Sequence, residues 1–399
     1  MRYGTQKLDI ELNARLNRVL CLDDLEREAK SFLPGCIYGY IAGGAETNTS
    51  RERNRSAFAR YDLVPGVLTN VSGRSTATEI FGEKYNAPFG ISPMGSCALY
   101  AYRGDLALAE GTKAEQIGMI LSGSSLIRLE DVIAQNERTW FQAYLPGEQN
   151  QIDLLLDRVK QAGYKVLVIT VDTCVGANRE NNVRAGFSTP LKPTWRLFWD
   201  GVTHPTWTTM TFLRTIVKHG MPHFENNFAH RGAPIFSRNV ERDFTYRDHL
   251  NWEHIEKIRA NWPGKLVIKG ILSVDDAKKA VSIGADGIIV SNHGGRQLDY
   301  SISSFAVLKE IVQACPSVPV MLDSGVRRGT DVIKALALGA KFVFIGRPFA
   351  YAASIGGPAG VRHAANLLQN EISRNMALMG INTLDEISEQ KHLRVSTSA

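Results

Sequence analysis

Staples and anchors are scarce in this chain. Its five cysteines, Cys21, Cys36, Cys97, Cys174 and Cys315, are odd in number and scattered over 399 residues. None forms a C-x-x-C pair, so neither a disulfide framework nor a zinc or dithiol centre is expected, and reduced thiols in a cytosolic compartment are. No apolar run approaches the roughly 18 residues of a membrane-spanning helix. The opening MRYGTQKLDIELNARLNRVL lacks the apolar stretch of a secretory signal. No low-complexity tract is present. Charge of one sign is only slightly in excess, at a formal +6; this suits an anionic substrate or a membrane surface without demanding either. Apolar residues, at 44%, are plentiful enough for a core that needs no staple.

From about residue 87 the chain alternates short apolar runs with amphipathic stretches of helical period. The runs fall at 88–92, 119–122, 140–144, 166–171, 266–269, 287–291, 320–323 and 342–346, and helical segments at 104–115, 151–161, 274–283, 304–314 and 329–338 lie between them. Near-continuous Val/Ile/Leu runs mark strands buried on both faces, and their alternation with helices marks a parallel sheet. Eight such units within about 260 residues predict a TIM (β/α)8 barrel. Residues 1–86 are expected to form an N-terminal helical cap, 87–380 the barrel, and 381–399 a C-terminal tail. A long insertion at about 180–250 separates the fourth strand from the fifth, far beyond ordinary loop length.

Barrel enzymes gather their chemistry where strands end, and this chain places polar or glycine residues at all eight ends. The seventh and eighth ends, DSGVRRGTD (323–331) and IGRP (345–348), suit a phosphate held by backbone N–H groups and by Arg327 and Arg347. His293 follows an apolar strand and precedes Gly-Gly-Arg296; a histidine there suits general-base work, with Asp172 as candidate partner. Arg179 and Arg296 form a plausible clamp for a carboxylate, because planar guanidinium groups match it bidentately. Lys269 ends the fifth strand as either a fixed positive charge or a Schiff-base nucleophile, so an aldolase acting on a phosphorylated sugar is a second reading.

Together, LPGCIYGYIAGGAE (33–46), FQAY (141–144), VDTCVGANRE (171–180), IKGIL (268–272), SNHGGRQLD (291–299), DSGVRRGTD and IGRP resemble the FMN-dependent 2-hydroxy acid oxidase and dehydrogenase family over nearly the whole chain. The resemblance implies FMN as cofactor. It implies flavin contacts from Pro93, Met94, Gly95, Ser122, Gln142, Thr170, Lys269 and Ser291, and ribityl and phosphate contacts from Asp323, Gly325, Arg327, Gly346 and Arg347. Tyr40, Arg179 and Arg296 would bind the substrate carboxylate, Tyr144 would lie near its hydroxyl, and His293 paired with Asp172 would take the proton. A homotetramer is expected by family analogy, and no nucleic-acid partner is.

Gly95 resembles the dehydrogenases, since oxidases of the family typically carry alanine there; a quinone or other membrane acceptor is therefore expected in place of oxygen, with an oxygen-using oxidase as the alternative. Ser124 stands where a tryptophan narrows the glycolate-type pocket, so a bulkier substrate, mandelate-like before lactate-like, should fit. The insertion holds KPTWRLFWDGVTHPTW (192–207) and TMTFLRTIVKHGMP (209–222). Tryptophans beside cations suit a bilayer interface, which predicts peripheral contact through about 190–222 on the inner face of the plasma membrane.

Overall fold

A computed structural model describes residues 14–188, 191–192, 194–236 and 247–397. The first thirteen residues of the expected cap, residues 189, 190, 193 and 237–246 of the insertion and the last two of the tail lie outside the described residues. Eight parallel strands close a barrel in sequence order: β1 (Phe89–Ile91), β2 (Gly118–Ser122), β3 (Trp140–Ala143), β4 (Val166–Thr170), β5 (Lys265–Ile271), β6 (Gly287–Val290), β7 (Val320–Asp323) and β8 (Phe342–Ile345). Each coincides with one of the eight apolar runs, because a barrel strand is buried on both faces and its composition shows it. In-register pairing sets Ser122 opposite Gln142 and Thr170 opposite Lys269 at the C-terminal ends. The fifth strand runs past Lys269 through a bulge to Ile271.

The capping region divides between the two ends of the barrel. Its helices α1 (Leu22–Phe32), α2 (Gly35–Ala42) and α3 (Thr49–Ser56) belong to the end that carries the site. The first buries Leu22, Leu25, Ala29 and Phe32 on one stripe, and Asn54 of α3 exchanges hydrogen bonds with Asn292 at 2.7 and 2.8 Å. Thr78–Ile80 and Glu83–Tyr85 form a hairpin, a departure from the helical cap expected there. It plugs the opposite end: Phe81 packs on Trp140 and Tyr85 on Phe342, in a core with Ile120, Val168 and Met321. The tail also joins the fold, with Leu393–Val395 pairing antiparallel to Tyr61–Leu63.

Within the insertion lie α4 (Glu180–Ala185), α5 (Trp195–Thr203) and a further helical stretch that ends in the α-helix Arg214–His219. The barrel ends in α6 (Arg347–Leu378), kinked at Gly357 and Pro358. Among the described residues no helix is long and apolar enough to cross a membrane.

Candidate active site

At the C-terminal ends of the strands a cavity of about 350 Å³ opens. Fourteen sequence-predicted residues line it: Tyr40, Pro93, Met94, Gly95, Tyr144, Arg179 and Lys269 on one side of the sequence, and His293, Arg296, Asp323, Gly325, Arg327, Gly346 and Arg347 on the other. The remaining five, Ser122, Gln142, Thr170, Asp172 and Ser291, are not among its lining residues, and Thr170 lines a second cavity. Ser122 Oγ donates to Gln142 Oε1 at 3.1 Å, and Ser291 Oγ accepts from Lys269 Nζ at 2.9 Å.

His293 adopts φ 58°, a left-handed conformation that costs roughly 1–2 kcal/mol in an L-residue. It is held there by Ser291 Oγ, which accepts the His293 N–H at 3.0 Å. The turn sets the imidazole between two partners, with Nδ1 3.0 Å from Asp172 Oδ1 and Nε2 3.4 Å from the Tyr144 hydroxyl. Burial pulls the imidazole below its ordinary range, and Lys269 and Arg179 act the same way; Asp172 opposes them without reversing the result. Burial would push the Asp172 carboxyl up, but His293 and Lys269 bring it below its usual value. The pair is therefore a carboxylate and a neutral imidazole, with Nδ1–H donating to Asp172 and Nε2 free to accept a proton. Gly270 makes this possible. It has φ +106°, and a Cβ there would lie 2.8 Å from Asp172 Cγ, so the bulge in β5 creates the space for the carboxylate.

Lys269 is buried, with Nζ 3.2 Å from Asp323 Oδ2. Burial lowers its pKa, but Asp323, Asp172 and Tyr144 outweigh that and raise it above the lysine norm. A Schiff-base lysine needs a depressed pKa to be a free amine; this one is a fixed ammonium, which removes the aldolase reading.

The cavity wall carries five cations, Lys269, Arg179, Arg296, Arg327 and Arg347, and among the described residues one carboxylate, Asp323. Arg347 donates to the carbonyls of Ile41, Gly43 and Gly294, and Arg296 to those of Tyr40 and Gly43, both at 2.8 Å. Burial disfavours both guanidinium ions, and so does a neighbouring cation in each case, Arg179 beside Arg296 and Arg296 beside Arg347. Unpaired buried charge costs several kcal/mol per ion, so this wall is built for anions. Gly325 backs onto the carbonyl of Asn54, which ties the strand-seven turn to α3.

Two buried polar atoms, Gln142 Nε2 and Thr170 Oγ1, have no partner among the described residues. Native folds pair such groups, so a polar ligand belongs against them. An FMN fits both observations: its phosphate would answer the cations, and the polar edge of its ring would answer the amide and hydroxyl. The decisive comparison agrees. A family model, "FMN-dependent dehydrogenase", matches residues 29–395.

The chain belongs to the FMN-dependent dehydrogenase family. FMN is its cofactor. It is 35% identical to (S)-mandelate dehydrogenase of Pseudomonas putida, covering 92% of each chain, and 37% identical to L-lactate dehydrogenase of Ectopseudomonas mendocina, covering 92% of this chain and 96% of the relative. Among solved structures, that of a monotopic membrane protein, (S)-mandelate dehydrogenase, superposes with a TM-score of 0.86 at 33% identity, over 95% of this chain and 100% of the other.

Sequence reasoning passed over Gln297, whose Nε2 donates to the Asp172 carbonyl at 2.9 Å and whose Oε1 accepts from Arg179 at 2.8 Å. It sits inside SNHGGRQLD, so the motif contained the signal. It also passed over Ser324, which accepts the Gly294 N–H at 3.0 Å and donates to Asp323 at 2.8 Å.

Proposed function

We propose that the protein oxidises (S)-2-hydroxy acids to 2-oxo acids, mandelate-like acids before lactate-like ones, and passes the electrons to a quinone-type acceptor at a membrane. The observation that carries this reading is the His293–Asp172 pair, with Nδ1 3.0 Å from Oδ1, in a cavity whose wall is cationic. Such a site accepts a proton from an anionic substrate. FMN, when bound, supplies the two-electron acceptor.

In this reading Arg179, Arg296 and the Tyr40 hydroxyl hold the substrate carboxylate, and Tyr144 meets its hydroxyl. His293 Nε2 accepts the proton, and Asp172 stabilises the imidazolium that results. Lys269 contributes a fixed positive charge toward the flavin. Pro93, Met94, Gly95, Ser122, Gln142, Thr170 and Ser291 contact the flavin, while Asp323, Gly325, Arg327, Gly346 and Arg347 hold the ribityl chain and phosphate.

Peripheral docking on the inner face of the plasma membrane is part of this reading, and the insertion supports the membrane contact. Trp195, Phe198, Trp199 and Val217 are exposed, beside Arg196, Arg214 and Lys218, a combination suited to the bilayer interface. Trp207 differs from the expectation for the segment: it is 6% exposed and its Nε1–H donates to the Leu99 carbonyl at 3.0 Å. A homotetramer is the proposed assembly, checked by sedimentation.

The test is anaerobic flavin bleaching with (S)-mandelate, (S)-lactate, glycolate and longer 2-hydroxy acids, followed by reoxidation with a quinone analogue or with air. Bleaching by an aromatic acid and faster recovery with the quinone analogue are expected. Equal recovery in air, with peroxide, would make the protein an oxidase, and no bleaching by any 2-hydroxy acid would overturn the reading.

A further inference from the structure

Helix α5 carries two charged residues, Arg196 and Asp200, four positions apart and hence on one face. Its exposed Trp195, Phe198, Trp199 and Val202 form a separate stripe. Both charged side chains meet helix ends. The Cys36 N–H donates to Asp200 Oδ2 at 3.1 Å, and a Cβ on Gly35 would stand 3.6 Å from both carboxylate oxygens, so the carboxylate lies on the first turn of α2. Arg196 Nη1 donates to the Arg184 carbonyl at 2.7 Å, in the last turn of α4. An acid at a helix N-terminus and a base at a helix C-terminus each complement the helix dipole.

The two helices so held carry the substrate-facing groups. Tyr40 belongs to α2, and Arg179 is the N-cap residue of α4. They are also locked to each other: a Cβ on Gly39 would lie 2.4 Å from the Ala185 Cβ, and the Tyr40 ring stacks on Phe187 with centroids 4.3 Å apart. The C-terminal carbonyls of α2 in turn receive Arg296 and Arg347. Neither Arg196 nor Asp200 lines the cavity.

We infer that Arg196 and Asp200 are positioning residues for substrate binding, setting Tyr40 and Arg179 at the substrate carboxylate by clamping α2 and α4 from outside the site. This rests on the reading that Tyr40 and Arg179 bind that carboxylate. A displaced clamp weakens carboxylate binding in ground and transition states alike, so it raises KM more than it lowers kcat.

The test compares Arg196→Ala and Asp200→Ala holoenzymes with wild type, using the 2-hydroxy acid that bleaches the flavin fastest. The expected result is a KM raised about tenfold or more with kcat changed by less than about threefold, at unchanged FMN content. Arg196→Lys and Asp200→Glu should restore most of the affinity. Should Asp200→Ala fail to fold, Asp200→Asn reads the same loss of charge. KM unchanged in both alanine variants overturns the inference, as does KM, kcat and FMN content worsening together. Arg179→Ala separates the two levels: if it leaves KM at wild type, the carboxylate reading itself fails; if it raises KM while the α5 variants do not, only the positioning role fails.

Discussion

His293 Nδ1 and Asp172 Oδ1 lie 3.0 Å apart, and the ring they orient presents Nε2 to Tyr144 and the cavity. Among the described residues the side-chain hydrogen bonds of His293 go to Asp172 and Tyr144 and not to the arginines proposed to hold phosphate, so removing it separates turnover from cofactor binding. His293→Ala should lower kcat by about two to four orders of magnitude and leave the yellow holoprotein intact. Loss of bound flavin in the purified variant would assign the residue a different job.

The same pair fixes the sign of the pH dependence. The base works as neutral imidazole, so kcat/KM falls as pH drops through its pKa. Burial places that pKa below the ordinary histidine value, so the acid limb belongs below about pH 6.5. Asp172 is what raises the pKa; Asp172→Asn should therefore move the limb still lower while reducing the plateau, because the imidazolium loses its counter-charge. A limb displaced upward in the variant, measured from kcat/KM profiles, would reverse the assignment.

The barrel was legible because each strand is a short apolar run between helices of clear period, and the eight runs coincide with the eight strands to within a residue or two. The hairpin at 78–85 was not. Its strands are three residues each, too short for alternation to register, and Phe81 and Tyr85 fill the barrel floor through contacts that only closure creates. Strand ends made His293, Lys269 and Asp323 readable as neighbours, since a parallel barrel brings such ends to one face. Gly270 carries no such signal in the sequence, because the space it leaves beside Asp172 appears only when β4 and β5 pair. The link from Asp200 to Cys36 spans 164 residues, a separation over which periodicity carries no information.

Lys269 donates to Ser291 and pairs with Asp323 inside the wall. Lys269→Met keeps the length and removes the charge. Flavin reduction by substrate should slow by about two to three orders of magnitude, as for loss of one preorganised electrostatic group, measured in anaerobic stopped flow. Asp323 would then be left without its cation, so weaker FMN retention should accompany the slower rate. A variant that reduces its flavin at the wild-type rate would exclude an electrostatic role.

Gly95 sets the room above the first strand. A Cβ there would lie 3.0 Å from Ser124 Cβ and 3.5 Å from the Tyr40 hydroxyl, so Gly95→Ala crowds the substrate end of the cavity. The expected outcome is a selectivity change: kcat/KM for an aromatic 2-hydroxy acid should fall about tenfold relative to lactate, within the range a misfit methyl-sized group produces. Equal losses for both acids would mean that the methyl acts on the flavin side of the pocket.

The tryptophans of the insertion separate docking from packing. Trp195 is 79% exposed and Trp199 58%, whereas Trp207 is 6% exposed and stacks on Phe212. Deleting 190–222 would remove both kinds at once and uncover the surface beneath Trp207, so substitutions discriminate better. Replacing Trp195, Phe198 and Trp199 by serine should shift the protein from the membrane fraction to the soluble fraction, with little change in thermal stability, because exposed side chains contribute little to folding. Trp207→Ala should instead cost about 3–5 kcal/mol of stability, the usual toll for truncating a buried aromatic, and leave membrane partition unaltered in the protein that folds. Unchanged partition in the triple serine variant would place these aromatics against another protein surface.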